Sequence, residues 1–442
     1  MYTAPFPLAP TLAALRTERL ALPAYVNDVC DRVEAGEPHI EALLSEADLR
    51  GRLLKEAESL RMRFPDPTKR PALYGVLLGV KDLFSVAGFA THAGSQLPPE
   101  LFAGPEAWCV QRLREVGALV LGMTVAAEFA YFEPGPTRNP HQPAHTPGGS
   151  SSGSAAAVAA GYCQLALGSQ TSGSIVRPAA YCGLVGVKPS YGRVPTAGMI
   201  FCAETLDTIG YMTQDLAGAQ LVAPLLCENW QPATTPATKP VLGIPEGPYL
   251  AQASSEALAV FEQNLAVLEK AGYTLRRVPA FPDIEAINHR HQRLVCAEMA
   301  RAHADWFGQY EVLYSSRMTS AIRQGQAISY PEYDLYRASP RALRGEIATL
   351  MDASAVDLWL SPSATEAAPE GIETTGDPAM NIPWTHAGVP VISLPAGRAA
   401  NGLPLGLQCA GRFMRDEDLL AWASGLARAL NLAEWQTSED SG

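Results

Sequence analysis

Residues 146–174 read TPGGSSSGSAAAVAAGYCQLALGSQTSGS, two glycine- and serine-rich loops on either side of an alanine-rich segment. Between the loops, residues 154–161 have the composition of a helix, and residues 163–167 form a short apolar run typical of a strand. Small residues let backbone N–H groups approach a ligand closely, and N–H groups that point inward can stabilise a developing oxyanion. The stretch therefore predicts two loops suited to binding or chemistry.

The alternation of helix and strand patterns continues on both sides of this stretch. Residues 72–80 and 118–125 are apolar and strand-like, with helical spacing over 105–117 between them. Strand patterns recur at 184–187, 241–244, 274–278, 356–360, 389–394 and 405–409. Helices are expected over 11–64, 254–271, 284–352 and near 416–430, with a helix start at residues 45–48. This rhythm predicts an α/β fold with a large sheet.

The domain organisation predicted from these patterns is a single domain over residues 1–442. Its portions are N-terminal helices over about 1–70, a core over about 71–215 and a C-terminal α/β portion over about 240–435. Residues 228–240 (ENWQPATTPATKP) are polar and rich in proline and threonine, so they form either a linker or a surface loop.

Composition narrows the class of protein. A net charge of −12 disfavours nucleic acid as a partner. We expect no membrane span and no signal peptide, because no apolar run has the required length or flanks. The eight scattered cysteines contain no CxxC pair, which predicts reduced, mostly buried thiols and a cytoplasmic location. The eight histidines form no ligand cluster, so no metal site is expected.

A serine hydroxyl needs a neighbouring base to act as a nucleophile. Neither loop contains a histidine, but Lys81 follows the apolar run 72–80 and would be basic if burial suppressed its charge. Lysine is a known partner of serine in acyl transfer. The alternatives are a surface lysine at a strand end, and turn or cap serines in the loops.

Short segments in a fixed order connect these residues. They are 79–82 (GVKD), 128–130 (EFA), 139–140 (NP), 146–151 (TPGGSS), 173–175 (GSI), 182–183 (CG), 186–193 (GVKPSYGR) and 206–207 (LD). Their order resembles the amidase signature family, and residues 383–388 and 402–408 resemble its C-terminal segment. The resemblance is densest over 75–213 and extends to about residue 430. It implies an α/β/α fold with a large mixed sheet wrapped by helices.

The resemblance also implies roles for individual residues. Ser174 would be the nucleophile that becomes acylated, Ser150 a bridging serine that follows a cis peptide bond, and Lys81 the base. The implied oxyanion hole consists of the backbone N–H groups of Thr171, Ser172, Gly173 and Ser174. The residues expected to support the site are Gly149, Ser151, Phe129 and Arg177. No cofactor is implied.

Five positions depart from the usual family pattern, one of which is Val125, where many members have asparagine. Ser152 and Ser172 stand where many members have glycine, and Gln170 stands where many have an acid. Arg177 is displaced along the chain, and it either recognises a substrate carboxylate or holds the loop, the second being favoured. None of these changes touches the three catalytic candidates, but they leave the recognised substrate groups open.

The predicted function is hydrolysis of a carbon–nitrogen bond in a small amide-type substrate, with esters and carbamates as related substrates. The alternatives are a carbamate or urea hydrolase acting on urethanes or biuret-like compounds, a glutaminase subunit of a tRNA-dependent amidotransferase, and an inactive scaffold. The aromatic-rich residues 305–336 either line the acyl pocket or pack helices. The oligomeric state stays open, with a homodimer as one option.

The segment 149–153 also fits the G-x-S-x-G nucleophile elbow, which requires a buried strand immediately before it. The preceding residues, NPHQPAHTPG, cannot form such a strand because they contain three prolines. The elbow is therefore rejected.

Overall fold

The computed structural model describes residues 1–232 and 238–432. Within them, fourteen α-helices cover one mixed sheet of ten strands. The strand order is β2-β1-β3-β5-β4-β9-β10-β8-β6-β7. The predicted α/β fold with a large mixed sheet is thus confirmed, and this one sheet takes strands from both the core and the C-terminal portion.

The N-terminal helical run over 11–64 is divided into three helices. These are α1 (Leu8–Arg16), α2 (Leu22–Ile40) and α3 (Leu49–Arg63). The helix start predicted at 45–48 is displaced: α3 begins at Leu49, where the Asp48 carboxylate accepts a hydrogen bond from the Gly51 N–H at 2.9 Å and caps the helix. The segments 17–21 and 41–48 are not helical.

Three parallel strands position the first catalytic candidate. Strand β1 (Leu77–Lys81) lies between β2 (Leu119–Thr124) and β3 (Leu165–Gln170), and α4 (Trp108–Glu115) connects the first two. The expected strand at 72–80 begins only at Leu77, because Gly75 adopts a left-handed φ of 74° in the preceding turn. Parallel strands end at the same edge of a sheet, so Lys81 and the loop after β3 meet there.

The rest of the core surrounds the second loop. It consists of α5 (Ser152–Ala159), α6 (Val176–Tyr181), β4 (Val185–Lys188), β5 (Thr208–Thr213) and α7 (Leu216–Leu226). Every residue of α5 is buried, because all but Val158 are serine, glycine or alanine and are small enough to let the helix lie against the sheet. Strand β5 lies antiparallel between β3 and β4, and neither it nor α7 was predicted.

The C-terminal portion follows the predicted order. Its first part comprises β6 (Val241–Glu246), α8 (Ser255–Lys270), β7 (Thr274–Pro279), α9 (Ile284–Ala302), α10 (Ala304–Tyr310) and α11 (Ser316–Gln326). Its second part comprises α12 (Tyr330–Ser354), β8 (Leu358–Pro362), α13 (Ile382–His386), β9 (Val391–Arg398), β10 (Pro404–Ala410) and α14 (Asp416–Ala429). The helical prediction for 284–352 is confirmed. Residues 233–237 of the predicted linker or loop lie outside the described residues.

All eight cysteines are free and buried, as predicted. In the described ranges, no helix combines the length and apolar character needed to cross a membrane. The same ranges contain no group of three or more histidine, cysteine or acidic side chains arranged to hold a metal ion.

Candidate active site

Lys81 is the last residue of β1, and its side chain is completely buried. Its Nζ lies 2.7 Å from Ser150 Oγ, which joins the first loop to the strand. It also lies 2.9 Å from Ser169 Oγ and 3.3 Å from the Ser169 carbonyl oxygen. One oxygen atom of the first loop and two of Ser169 in β3 therefore surround one amine.

Burial sets the protonation of this amine. It lowers the pKa of Lys81 to about 7, and the Asp207 carboxylate opposes the shift only partly. A lysine with this pKa is substantially neutral just above pH 7, where an exposed lysine would be fully charged. Lys81 thus has the property of a base.

The first loop holds Ser150 against Lys81. The peptide bond between Gly149 and Ser150 is cis, as the resemblance implies. Arg177 Nη2 donates to the Gly149 carbonyl oxygen at 2.7 Å and to Thr375 Oγ1 at 3.0 Å. The Arg177 side chain is 2 % exposed, and these two hydrogen bonds connect it to the first loop and to Thr375, while its Nε and Nη1 have no partner among the described residues.

Ser151 and Ser152 contribute hydroxyl contacts that close the first loop onto its surroundings. Ser151 Oγ donates to the Ser169 carbonyl oxygen at 3.3 Å. Ser152 Oγ donates to the Gly148 carbonyl oxygen at 2.7 Å. The serine that replaces the usual glycine at 152 is therefore accommodated inside the loop.

The second loop presents Ser174 beside unpaired backbone donors. Within the described residues, the N–H groups of residues 171–174 donate no hydrogen bond, and neither does the Ser174 hydroxyl. Ser174 is only 5 % exposed. Residues 171, 173 and 174 are buried and Ser172 is half-buried. Because buried N–H groups are nearly always paired in folded proteins, these unpaired groups are available as donors to a ligand oxygen.

Gln170 explains how the loop keeps its shape without the usual acid. Its Oε1 accepts hydrogen bonds from the N–H groups of Ile175 and Val176, at 2.7 and 2.9 Å. Its Nε2 donates to Thr385 Oγ1 at 2.9 Å. An amide oxygen thus accepts the N–H groups at the start of α6, and the amide nitrogen adds a tether to α13.

Asp207 anchors the start of the same loop. One carboxylate oxygen accepts a hydrogen bond from the Thr171 hydroxyl. The other accepts from the N–H groups of Cys202 and Ala203, at 2.7 and 3.0 Å. Burial raises the pKa of Asp207 to about 6, and these donors limit the rise. Asp207 is therefore occupied in holding the loop.

Ser169 is a site residue that sequence reasoning missed. It lies one residue before the end of β3, and the pairing of Val80 with Leu167 brings it near Lys81 across the parallel ladder. Only the strand register reveals this contact, because the two residues are 88 positions apart.

Known proteins resemble this chain throughout its length. A family model described as Amidase matches residues 24–420. The chain belongs to the amidase family. It is 33 % identical to a subunit of glutamyl-tRNA(Gln) amidotransferase from Nitratidesulfovibrio vulgaris (strain DP4), an alignment covering 96 % of each chain. It is 32 % identical to the same subunit from Moorella thermoacetica, covering 89 % of this chain and 90 % of the relative.

Solved amidase structures share the fold. A crystal structure of an amidase superposes with a TM-score of 0.84 at 30 % identity, covering 95 % of this chain and 99 % of the other. The peptide amidase from Stenotrophomonas maltophilia superposes with a TM-score of 0.82 at 26 % identity, covering 96 % and 97 %. The suspected family is confirmed, and the chain is a hydrolase of the amidase family, which acts on carbon–nitrogen bonds.

In the aromatic-rich region of this amidase, some side chains pack in the interior, and others line a cavity whose lining includes none of Lys81, Ser150 and Ser174. Phe129, whose φ is 46°, is fully buried and stacks on Tyr314, with ring centroids 5.7 Å apart. Trp306 and Tyr333 line a cavity of about 470 Å³ together with Phe102. Tyr330 is 80 % exposed and belongs to neither group.

Proposed function

We propose that this amidase hydrolyses the carbon–nitrogen bond of a small amide-type substrate through an acyl-enzyme on Ser174. The observation that carries the proposal is the 2.7 Å contact between Lys81 Nζ and Ser150 Oγ, in a site where the lysine is completely buried. A buried amine next to a hydroxyl provides the base that a serine nucleophile requires.

The contacts of Lys81 favour one orientation of its neutral form. A neutral amine has two N–H donors and one lone pair. Ser169 offers two acceptors, its carbonyl oxygen and its hydroxyl oxygen, at 3.3 and 2.9 Å. When these take the two N–H groups, the lone pair is left for Ser150, whose O–H then donates to Nζ over 2.7 Å.

The reaction proceeds in two stages. Ser174 Oγ attacks the substrate carbonyl carbon, while its proton passes to Ser150 and the Ser150 proton passes to Lys81. Collapse of the tetrahedral intermediate breaks the C–N bond, and the proton returns by the same route to the leaving nitrogen. Water then attacks the acyl-enzyme with Lys81 again as base, which releases the acid and restores Ser174.

The first link of this relay forms on substrate binding. In the described residues Ser174 Oγ makes no hydrogen bond, so its hydroxyl is free to turn toward Ser150. Catalytic hydrogen bonds are often long or misaligned before substrate binds and tighten in the complex. The unpaired N–H groups of residues 171–174 support a role as donors to the oxyanion.

A panel of purified-enzyme assays tests the proposal. Aryl amides, aliphatic amides, carbamates, ureas and esters are incubated with the protein and with Ser174→Ala, and the released amine, ammonia or alcohol is measured. We expect turnover of at least one amide by the unmodified protein alone. Turnover of carbamates or ureas without any amide would replace the proposal with the carbamate or urea alternative.

A glutaminase subunit is a second candidate, favoured by the relatives that are 32 and 33 % identical over most of their length. Gln170 and Ser172 count against it because they alter the loop that carries Ser174. Release of ammonia from free glutamine, raised by addition of a tRNA together with a partner protein, would support this candidate. Because the name of those relatives includes a tRNA, the expected lack of a nucleic-acid partner stays a prediction.

A further inference from the structure

A chain of hydrogen bonds connects the second loop to three helices of the C-terminal portion. Ser172 Oγ lies 2.8 Å from His291 Nε2. His291 Nδ1 lies 3.2 Å from His386 Nδ1, and His386 Nε2 lies 2.7 Å from Ser339 Oγ. We call this the Ser172–Ser339 chain. It joins α9, α13 and α12 to the residue two positions before Ser174.

The direction of every hydrogen in this chain follows from its far end. Ser339 Oγ donates its only hydrogen to the Tyr336 carbonyl oxygen at 2.7 Å, so it must accept from His386 Nε2–H. A neutral His386 protonated on Nε2 has a lone pair on Nδ1. That lone pair accepts from His291 Nδ1–H.

The same reasoning fixes the near end of the chain. With its hydrogen on Nδ1, neutral His291 has a lone pair on Nε2, which accepts the hydrogen of Ser172 Oγ at 2.8 Å. The two facing Nδ1 atoms share one hydrogen, so the two histidines must be opposite tautomers. Identical tautomers would place two hydrogens or two lone pairs between the two Nδ1 atoms.

Both histidines stay neutral, as this arrangement requires. Each is 1 % exposed. Burial lowers the pKa of His386 to about 4, and burial together with the neighbouring His386 lowers the pKa of His291 well below its usual value.

We propose that His291 is a positioning residue that holds the Ser174 loop, through Ser172, in the geometry needed to stabilise the oxyanion. The inference rests on the proposed function for its catalytic consequence but not for the hydrogen-bond chain itself. Ser172 stands where many family members have glycine, so the chain depends on a side chain that those members lack.

A second hydrogen bond, from α13, also holds Ser172 in place. Thr385 Oγ1 donates to the Ser172 carbonyl oxygen at 2.6 Å. The Ser172 side chain is thus bonded to His291, which contacts His386, and the Ser172 backbone is bonded to Thr385, which precedes His386. With the carbonyl and hydroxyl of Ser172 fixed, the N–H groups that flank them are fixed as well, which is the preorganisation that oxyanion stabilisation requires.

The hydrogen-bond chain is tested without any substrate by ¹⁵N NMR of histidine-labelled protein at pH 7. We expect one neutral histidine protonated on Nδ1, whose signals vanish in His291→Gln. We also expect one neutral histidine protonated on Nε2, assigned by loss in His386→Gln. Equal tautomers, or an imidazolium at either position, would overturn the arrangement.

The catalytic consequence is tested by two substitutions at the same position. His291→Gln keeps an acceptor and a donor at nearly the spacing of the ring nitrogens, and it should retain kcat within about threefold. His291→Leu removes both and should lower kcat by roughly tenfold or more with KM little changed. Equal damage from both substitutions would contradict the proposal.

A double-mutant cycle separates positioning from general destabilisation. In a Ser172→Ala background, His291→Leu should cause no further loss of kcat, because the contact it removes is already absent. Additive losses would overturn the proposal. The outcomes also separate the two levels of inference. Opposite tautomers in a protein that hydrolyses no substrate would leave the hydrogen-bond chain standing and reject the proposed function.

Discussion

Ser169 Oγ lies 2.9 Å from Lys81 Nζ, so the base contacts a serine outside the three residues that sequence analysis singled out. A hydroxyl oxygen that accepts from an ammonium favours the charged form of the lysine. We therefore expect the Ser169 hydroxyl to favour the protonated form of Lys81, in opposition to burial. It also occupies one N–H group and so orients the amine toward Ser150.

This contact predicts a shift in pH dependence. Ser169→Ala should move the acid limb of kcat/KM to lower pH, because the protonated amine loses an acceptor. It should also lower kcat, because the amine is less well oriented. A pH profile of the purified variant measures both effects. An acid limb displaced to higher pH would show that Ser169 disfavours the protonated form of Lys81, which would contradict this prediction.

The acid limb itself should report Lys81. The neutral amine is the active form and the pKa of Lys81 is about 7, so kcat/KM should rise with pH through about 7 and then level. Lys81→Met should remove the limb and reduce kcat by several orders of magnitude.

Lys188 supplies the matched control, because it is also fully buried with a pKa lowered to about 7 by burial. Its Nζ donates to the carbonyl oxygens of Pro189 and Val389, away from the serines. Lys188→Met should keep the acid limb even if the protein is less stable. If Lys188→Met loses the acid limb and Lys81→Met keeps it, then the limb reports Lys188 and the assignment to Lys81 is wrong.

Ser174→Ala should abolish turnover and leave the fold intact. The Ser174 hydroxyl makes no hydrogen bond within the described residues, so its removal costs no structural contact. Thermal unfolding and assay of the same preparation measure the two properties together. Ser152→Ala, which removes a loop hydroxyl bonded to Gly148, should keep turnover. Hydrolysis by Ser174→Ala at the rate of the unmodified protein would contradict the assignment of Ser174 as the nucleophile.

Thr171→Val tests the anchor of the second loop. The substitution preserves shape but leaves the buried Asp207 carboxylate without its hydroxyl donor. We expect the free energy of unfolding to fall by about 1–3 kcal/mol and kcat to fall as the loop loosens. Thr171→Ser, which restores the donor, should recover both. Denaturant titration measures the change in the free energy of unfolding, and steady-state kinetics distinguish a fall in kcat from a change in KM alone.

Much of the site could be predicted because its residues lie in short, ordered segments. Lys81 ends a buried strand, and the glycine and serine loops are recognisable by composition. Ser169 and His291 could not be found in this way. Ser169 reaches Lys81 through strand register, and His291 reaches Ser172 from 119 residues away through helix packing.

The fold shows the same division between local pattern and distant contact. Strand β2 was predicted within one residue at each end from its apolar run, whereas β1 begins five residues later than its apolar run. Strand β5 (TIGYMT) was missed because two threonines and a glycine dilute its apolar pattern, and its burial depends on β3 and β4 on either side.

The most direct test of the central claim is to identify the residue that becomes covalently modified. The protein is treated with a fluorophosphonate probe, digested and analysed by mass spectrometry, in parallel with Lys81→Met. We predict a single adduct on Ser174 that forms far more slowly in Lys81→Met. An adduct on another serine, or labelling of Ser174 at an unchanged rate without Lys81, would contradict the account.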